Sequence, residues 1–126
     1  MIKKKAVYKC EICGNVVESV WDGKVPVHCC GKAMTELVAN TVDASKEKHV
    51  PVIEKDGNKV TVKIGSVAHP MTNEHYILFI EVVDGDYVYR RDLKLGDAAE
   101  ATFTVQSEKV IARAFCNLHG FWQAEG

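Results

Sequence analysis

Lys59-Val60-Thr61-Val62-Lys63-Ile64 alternates polar and apolar side chains, the period of two that predicts a strand with one buried face. Asp56-Gly57-Asn58 stands just before it and supplies the residues of a hairpin turn. From Tyr76 to Val83 the chain is an apolar run rich in β-branched and aromatic residues, which predicts a strand covered on both faces. Asp84-Gly85-Asp86 then turns the chain into Tyr87-Val88-Tyr89. Ala101–Val105 and Val110–Phe115 complete the set, and the chain shows almost no helical periodicity. Short strands with turn signals about every ten residues predict an all-β sandwich or barrel.

The first 36 or so residues are of another kind. They are rich in turns and cysteine, and their apolar positions are few apart from Val16, Val17, Val20 and Trp21. A piece below about 40 residues needs a metal, a disulfide or a partner to hold its fold. The predicted boundary falls near Glu36 to Asn40, giving a small module over residues 1–36 and a domain over 37–126. The sequence holds no internal repeat and no low-complexity segment.

Composition changes this picture little. Of 126 residues, 47% are hydrophobic and 26% charged, the balance of an ordinary globular protein. Sixteen Lys and Arg against 17 Asp and Glu leave a net charge of −1, which argues against nucleic acid or an acidic membrane surface as partner. Met1-Ile2-Lys3-Lys4-Lys5 is basic but leads into no apolar segment, so no secretory signal and no membrane span is expected. The expected compartment is the cytoplasm, where thiols stay reduced. Five cysteines are in any case an odd number for a disulfide framework, and metal binding explains them better.

Four of them lie in the small module, as Cys10-Glu11-Ile12-Cys13 and the adjacent pair Cys29-Cys30. Cys-x-x-Cys-Gly is a metal-binding turn in which Gly14 takes positive φ and lets backbone N–H groups face sulfur. Adjacent side chains of an extended segment point to opposite faces, so Cys29 and Cys30 share one ion only if the backbone bends sharply at Gly31. Four thiolates suit zinc or iron about equally well, and a zinc knuckle that merely staples the module is the plainer alternative. His28, beside the pair, reads as a surface histidine.

The other histidines, His49, His69, His75 and His119, fall in the larger domain with Cys116. A single such histidine is usually a surface or core residue, and scattered histidines with a buried thiol remain an alternative here. Three features favour a joint site. His69 and His75 bracket a short loop, Pro70 holds the backbone of His69 extended, and Cys116 and His119 are spaced like paired ligands before a glycine. Four imidazoles and a thiolate exceed the four-coordinate shell of structural zinc and suit a redox iron with one position open. Lys46-Glu47-Lys48 precedes His49. Read alone it is a solvated charge run; beside an open metal position, Lys48 would attract a small anion and Glu47 could close the position.

Taken together, Tyr8-Lys9-Cys10-Glu11-Ile12-Cys13-Gly14-Asn15, Cys29-Cys30-Gly31, Glu47-Lys48-His49-Val50-Pro51, His69-Pro70-Met71 and Cys116-Asn117-Leu118-His119-Gly120 resemble the desulfoferrodoxins, the two-iron class of superoxide reductase. The resemblance spans essentially the whole chain. It implies a desulforedoxin-like module holding Fe(Cys)4 through Cys10, Cys13, Cys29 and Cys30. It further implies an immunoglobulin-like antiparallel β-sandwich holding a second iron through His49, His69, His75, His119 and Cys116. Lys48 would be the residue that attracts superoxide, and Glu47 the sixth ligand of the ferric state. Superoxide as substrate, hydrogen peroxide as product, a rubredoxin-like donor and a homodimer are implied by the same likeness. The rival readings are a pure electron carrier, a zinc-stapled interaction module and a superoxide dismutase.

Overall fold

The computed structural model describes residues 1–42 and 49–126, and among them every regular element is a β-strand. They form two compact units, Met1–Val38 and Ala39–Gly126.

The first unit is built of five short strands: β1 (Val7–Lys9), β2 (Val16–Glu18), β3 (His28–Cys29), β4 (Lys32–Ala33) and β5 (Thr35–Glu36). β1 lies between β2 and β5 in an antiparallel sheet, and β3 pairs with β4 as a separate hairpin. The buried core of this unit is small: Tyr8, Cys10 and Met34, with Ile2, Ala6, Val27 and Cys29 packed against it. Burying a side chain of this size contributes roughly 1.5–3 kcal/mol. So few cannot offset the ordering of nearly forty residues, and the four thiols gathered beside this core are where the rest must come from.

The described residues of the second unit form a sandwich of seven antiparallel strands. β6 (Pro51–Asp56), β7 (Lys59–Ile64) and β10 (Glu100–Thr104) form one sheet in the order β10-β7-β6. β8 (Ile77–Asp84), β9 (Tyr87–Asp92), β11 (Ile111–Cys116) and β12 (Gly120–Glu125) form the other in the order β12-β11-β8-β9. A three-stranded and a four-stranded sheet facing each other is the immunoglobulin arrangement. Val60, Val62 and Ile64 point inward at every second position of β7 and meet Ile77, Ile80 and Val82 of β8 and Ala112, Ala114 and Cys116 of β11.

The predicted turns fall where expected, with two-residue loops between Asp56 and Lys59 and between Asp84 and Tyr87. The apolar run before Asp84 is indeed covered on both faces. Its outward Glu81 is 1% exposed because Arg113 of the neighbouring strand closes over it, Nη2 to Oε1 at 2.6 Å, with the guanidinium over the Phe121 ring at 5.4 Å. Two strands escape the sequence pattern. β6 is an edge strand whose second half is charged and exposed, so no alternation marks it. β12, Gly-Phe-Trp-Gln-Ala-Glu, buries Phe121 and Trp122 in succession and breaks the period of two.

Antiparallel pairing decides which loops share an end of the sandwich. Pro51 at the start of β6 lies opposite Ile64 at the end of β7, and Ile77 at the start of β8 lies opposite Cys116 at the end of β11. Residues 49 and 50 before β6, the β7–β8 loop and the β11–β12 loop therefore emerge at one end. Among the described residues no helix is long and apolar enough to cross a membrane.

Ile80 is fully buried between the sheets. Replacing it with Ala removes three carbons from a close-packed site and should cost about 2–5 kcal/mol in urea denaturation of the full chain. Val88→Ala, on the 37% exposed position of strand β9, should stay within about 0.5 kcal/mol.

Candidate metal centres

The first cluster rests on two turns. Cys10 opens a loop in which the Gly14 N–H donates to the Cys10 carbonyl at 2.9 Å and the Cys10 N–H to the Asn15 carbonyl at 2.8 Å. Gly14 sits at φ +83°, and this lets the chain fold back so that the Cys13 N–H faces the Cys10 sulfur at 3.5 Å. The second turn is the two-residue loop Cys30-Gly31, with Cys29 paired to Lys32 across it. Both loop residues have positive φ, Cys30 at 55° and Gly31 at 73°, as the tightest hairpin turn requires. A cysteine held in this left-handed region costs roughly 1–2 kcal/mol. It is this bend that brings the adjacent thiols to one side, with Cys29 Sγ and Cys30 Sγ 4.0 Å apart. Cys13 Sγ lies 3.6 Å from Cys29 Sγ, and the four sulfurs all fall within 4.8 Å of one another. Asn15, absent from the candidate ligands, donates its side-chain N–H to Cys29 Sγ at 3.6 Å.

Four thiols this close cannot ionise independently. The Cys13 and Ile12 N–H groups stabilise a thiolate on Cys10 and draw it down to about 6. Cys30, hydrogen-bonded to Cys13, Cys10 and Cys29, is pushed up to about 12, and Cys29 also rises, through Cys13 and then Cys10. Only a cation at the centre lets the set deprotonate together. The donor set therefore fits a thiophilic ion such as iron or zinc.

The second cluster forms where the three loops of the sandwich converge. Cys116 ends β11 at a register shift that displaces it from the regular ladder, and it is fully buried. Asn117, Leu118 and His119 form a three-residue hairpin loop closed by the pairing of Cys116 with Gly120, whose φ is +85°. His49 stands two residues before β6 and His75 two before β8, while His69 lies within the β7–β8 loop. The ligand atoms of His49, His75, Cys116 and His119 lie within 4.8 Å of one another.

His69 stands against this group rather than within it. Its Nε2 is 3.6 Å from Cys116 Sγ, and its Nδ1 pairs with the Pro70 carbonyl at 2.7 Å. That contact makes Nδ1 the protonated nitrogen and turns the lone pair of Nε2 toward the sulfur. Counted by ring centroids the four imidazoles close a quadrilateral: His49–His69 4.7 Å, His69–His75 4.5 Å, His75–His119 4.9 Å and His119–His49 4.8 Å, with 6.1 Å between His49 and His75 across it. His119 offers Nδ1, 3.8 Å from Cys116 Sγ and 3.2 Å from His75 Nε2. His49 and His69 are buried, at 1% and 5%, whereas His75 is half-buried and His119 exposed. The group is thus sealed on the thiol side and reachable from the His75–His119 side. Four imidazoles and one thiol fit a borderline-soft transition ion better than a hard one.

Two residues that sequence reasoning overlooked shape this group. Trp122 stacks on His49 at 4.8 Å and 17°, and its indole N–H donates to the His119 carbonyl at 3.0 Å. Asn117 reaches from the cysteine hairpin to the backbone on either side of His75. The visible signal was only their place in the chain, one inside and one just after Cys116–Gly120. Glu47 and Lys48 lie outside the described residues.

Metal uptake by the four-cysteine site at neutral pH must displace the protons of Cys29 and Cys30, both held above the ordinary thiol range. Protons compete with the ion, so apparent affinity rises with pH. Two or more displaced protons correspond to at least about a 100-fold change per pH unit. Competitive Zn(II) titration at pH 7 and pH 8, with proton release followed by indicator dye, should show both; an affinity independent of pH would contradict the thiol assignment.

Residues 3–37 match the family model "Desulfoferrodoxin, N-terminal domain" and residues 41–125 the model "Desulfoferrodoxin". A desulfoferrodoxin homolog of Archaeoglobus fulgidus is 55% identical over 98% of this chain and 99% of its own. The desulfoferrodoxin of Syntrophotalea carbinolica is 51% identical over the whole of both chains. Among solved structures, the superoxide reductase of Treponema pallidum superposes with a TM-score of 0.79 at 32% identity, over 98% of this chain and 99% of that one. The one-iron superoxide reductase of Giardia intestinalis matches with a TM-score of 0.58 at 33% identity, over 64% of this chain and 98% of that one. With both units matched in order and relatives aligned from end to end, the chain belongs to the desulfoferrodoxin family.

Proposed function

We propose that this chain is a superoxide reductase that converts superoxide, one electron and two protons into hydrogen peroxide at the histidine/cysteine group. The observation that carries the reading is the gathering of His49, His75, Cys116 and His119 within 4.8 Å around a buried thiol, with His119 exposed. These residues and His69 would hold an iron ion, which in its ferrous form would supply the electron. Cys116 contributes a thiolate whose negative charge is screened from water by the core and so bears fully on the ion. His69, with its Nδ1–H on the Pro70 carbonyl, keeps Nε2 available as a donor. The less buried His75–His119 side would admit a two-atom anion, and the protons would be taken from water there. Lys48 draws the anion in, and the carboxylate of Glu47 competes with it for the same place.

The Cys10, Cys13, Cys29 and Cys30 site is proposed to hold a second iron, which accepts electrons from a rubredoxin-like donor. We further propose that the small module over residues 1–36 carries this role and the domain over 37–126 the chemistry, in a homodimer working in the cytoplasm, where five thiols stay reduced.

With iron-loaded protein and excess reductant, one peroxide should form for each superoxide consumed. Half that yield is the stoichiometry of dismutation and would remove the reductase reading. Cys116→Ser should abolish the reaction while the four-cysteine site stays loaded. Lys48→Ala should slow the bimolecular step about 10-fold at low salt and flatten its dependence on ionic strength. An unchanged salt profile would take Lys48 out of the mechanism.

A further inference from the structure

We propose that Asn117 is the positioning residue for His75, gripping the chain on both sides of that histidine at once; the inference rests on the histidine/cysteine group being a metal site. Three hydrogen bonds run from this one residue. Its Oδ1 accepts the Tyr76 N–H at 2.8 Å, its Nδ2 donates to the Glu74 carbonyl at 3.0 Å, and its own N–H donates to the Tyr76 carbonyl at 3.1 Å. The residues held are the two neighbours of His75, and the residue holding them comes directly after Cys116.

His75 needs this support more than the buried His49 and His69 do. It is only half-buried, near the end of a long loop between β7 and β8. Its own backbone is tied in a small turn with Thr72 at 2.9 and 3.3 Å. The direction of its imidazole follows the backbone at 74 and 76, and that backbone is held by Asn117. The result is Nε2 of His75 set 3.2 Å from Nδ1 of His119 on the far side of the same hairpin loop. An amide is the side chain suited to this task, because it accepts from one peptide and donates to another at the same moment. A carboxylate offers acceptors only, and an alkyl side chain offers neither. By fastening the β7–β8 loop to the hairpin of Cys116, Asn117 orders the site before any ion arrives and removes that cost from binding.

The test is a double-substitution cycle on the full chain, read by metal affinity. Cd(II), one equivalent, first fills the four-cysteine site, whose soft thiolates prefer it. Co(II) is then titrated into the second site and followed by its thiolate-to-cobalt absorption and ligand-field bands. Asn117→Ala should weaken Co(II) binding about 10- to 100-fold, the usual loss when a partner holding a ligand is removed. In a His75→Ala background the same substitution should change affinity less than about threefold, because the histidine it positions is gone. An equal loss in both backgrounds, or no loss in the parent chain, overturns the proposal. If His75→Ala alone leaves Co(II) affinity and spectrum unchanged, the metal-site reading itself fails and this inference with it. Should N117A not fold, N117D, which keeps the acceptor for Tyr76 and loses the donor to Glu74, carries the same cycle with the same outcomes.

Discussion

Cys116 belongs at once to the apolar core and to the ligand group, and the second unit is organised around that double membership. It shares the buried cluster between the sheets with Ala114 and Ile77, while its sulfur faces His69 and His119. A thiol at the edge of a close-packed interior cannot shift without disturbing its neighbours, so the rigidity of the sandwich passes directly to the site. The register shift at Cys116 is the local device that makes this possible. It ends the ladder with β8 at the point where the sulfur must leave the core and meet the imidazoles.

Around that fixed thiol the imidazoles are placed by topology, then refined by hydrogen bonds. Strand pairing alone delivers the starts of β6 and β8 and the end of β11 to one end of the sandwich. The finer placement comes from Pro70 holding His69 in one tautomer, Trp122 stacked flat on His49, and Asn117 bracing both sides of His75. Burial divides the group into a dry side of His49, His69 and Cys116 and a wet side of His75 and His119. A thiolate on the dry side keeps its electrostatic influence, and a small anion needs access only on the wet one.

The first unit solves the opposite problem. It has almost no core, and of its four cysteines only Cys10 is buried. Order here comes from backbone geometry, from positive φ at Gly14, Cys30 and Gly31 and from N–H groups turned toward sulfur. The uneven acidity of the thiols, Cys10 drawn down and Cys29 and Cys30 pushed up, is the signature of a set that stays partly protonated until an ion arrives. Folding and metal binding are then one equilibrium.

Local chemistry was readable without coordinates. The alternation of Lys59–Ile64, the glycine turns and the apolar run before Asp84 define an all-β domain, because a period of two and a turn residue act over a few neighbours. Cys-x-x-Cys-Gly and the cysteine pair announce a shared ion for the same reason, and the sharp bend expected at Gly31 is present. What no local pattern could contain is distance along the chain. His69 and Cys116, 47 residues apart, meet only because β8 and β11 pair antiparallel with their ends in register. Strands β6 and β12 were hidden because an edge position and two successive buried aromatics erase the alternation, and packing decides both. Trp122 and Asn117 carry no chemical signature of their own. Their roles exist only in what they touch, and contact is a property of the folded chain.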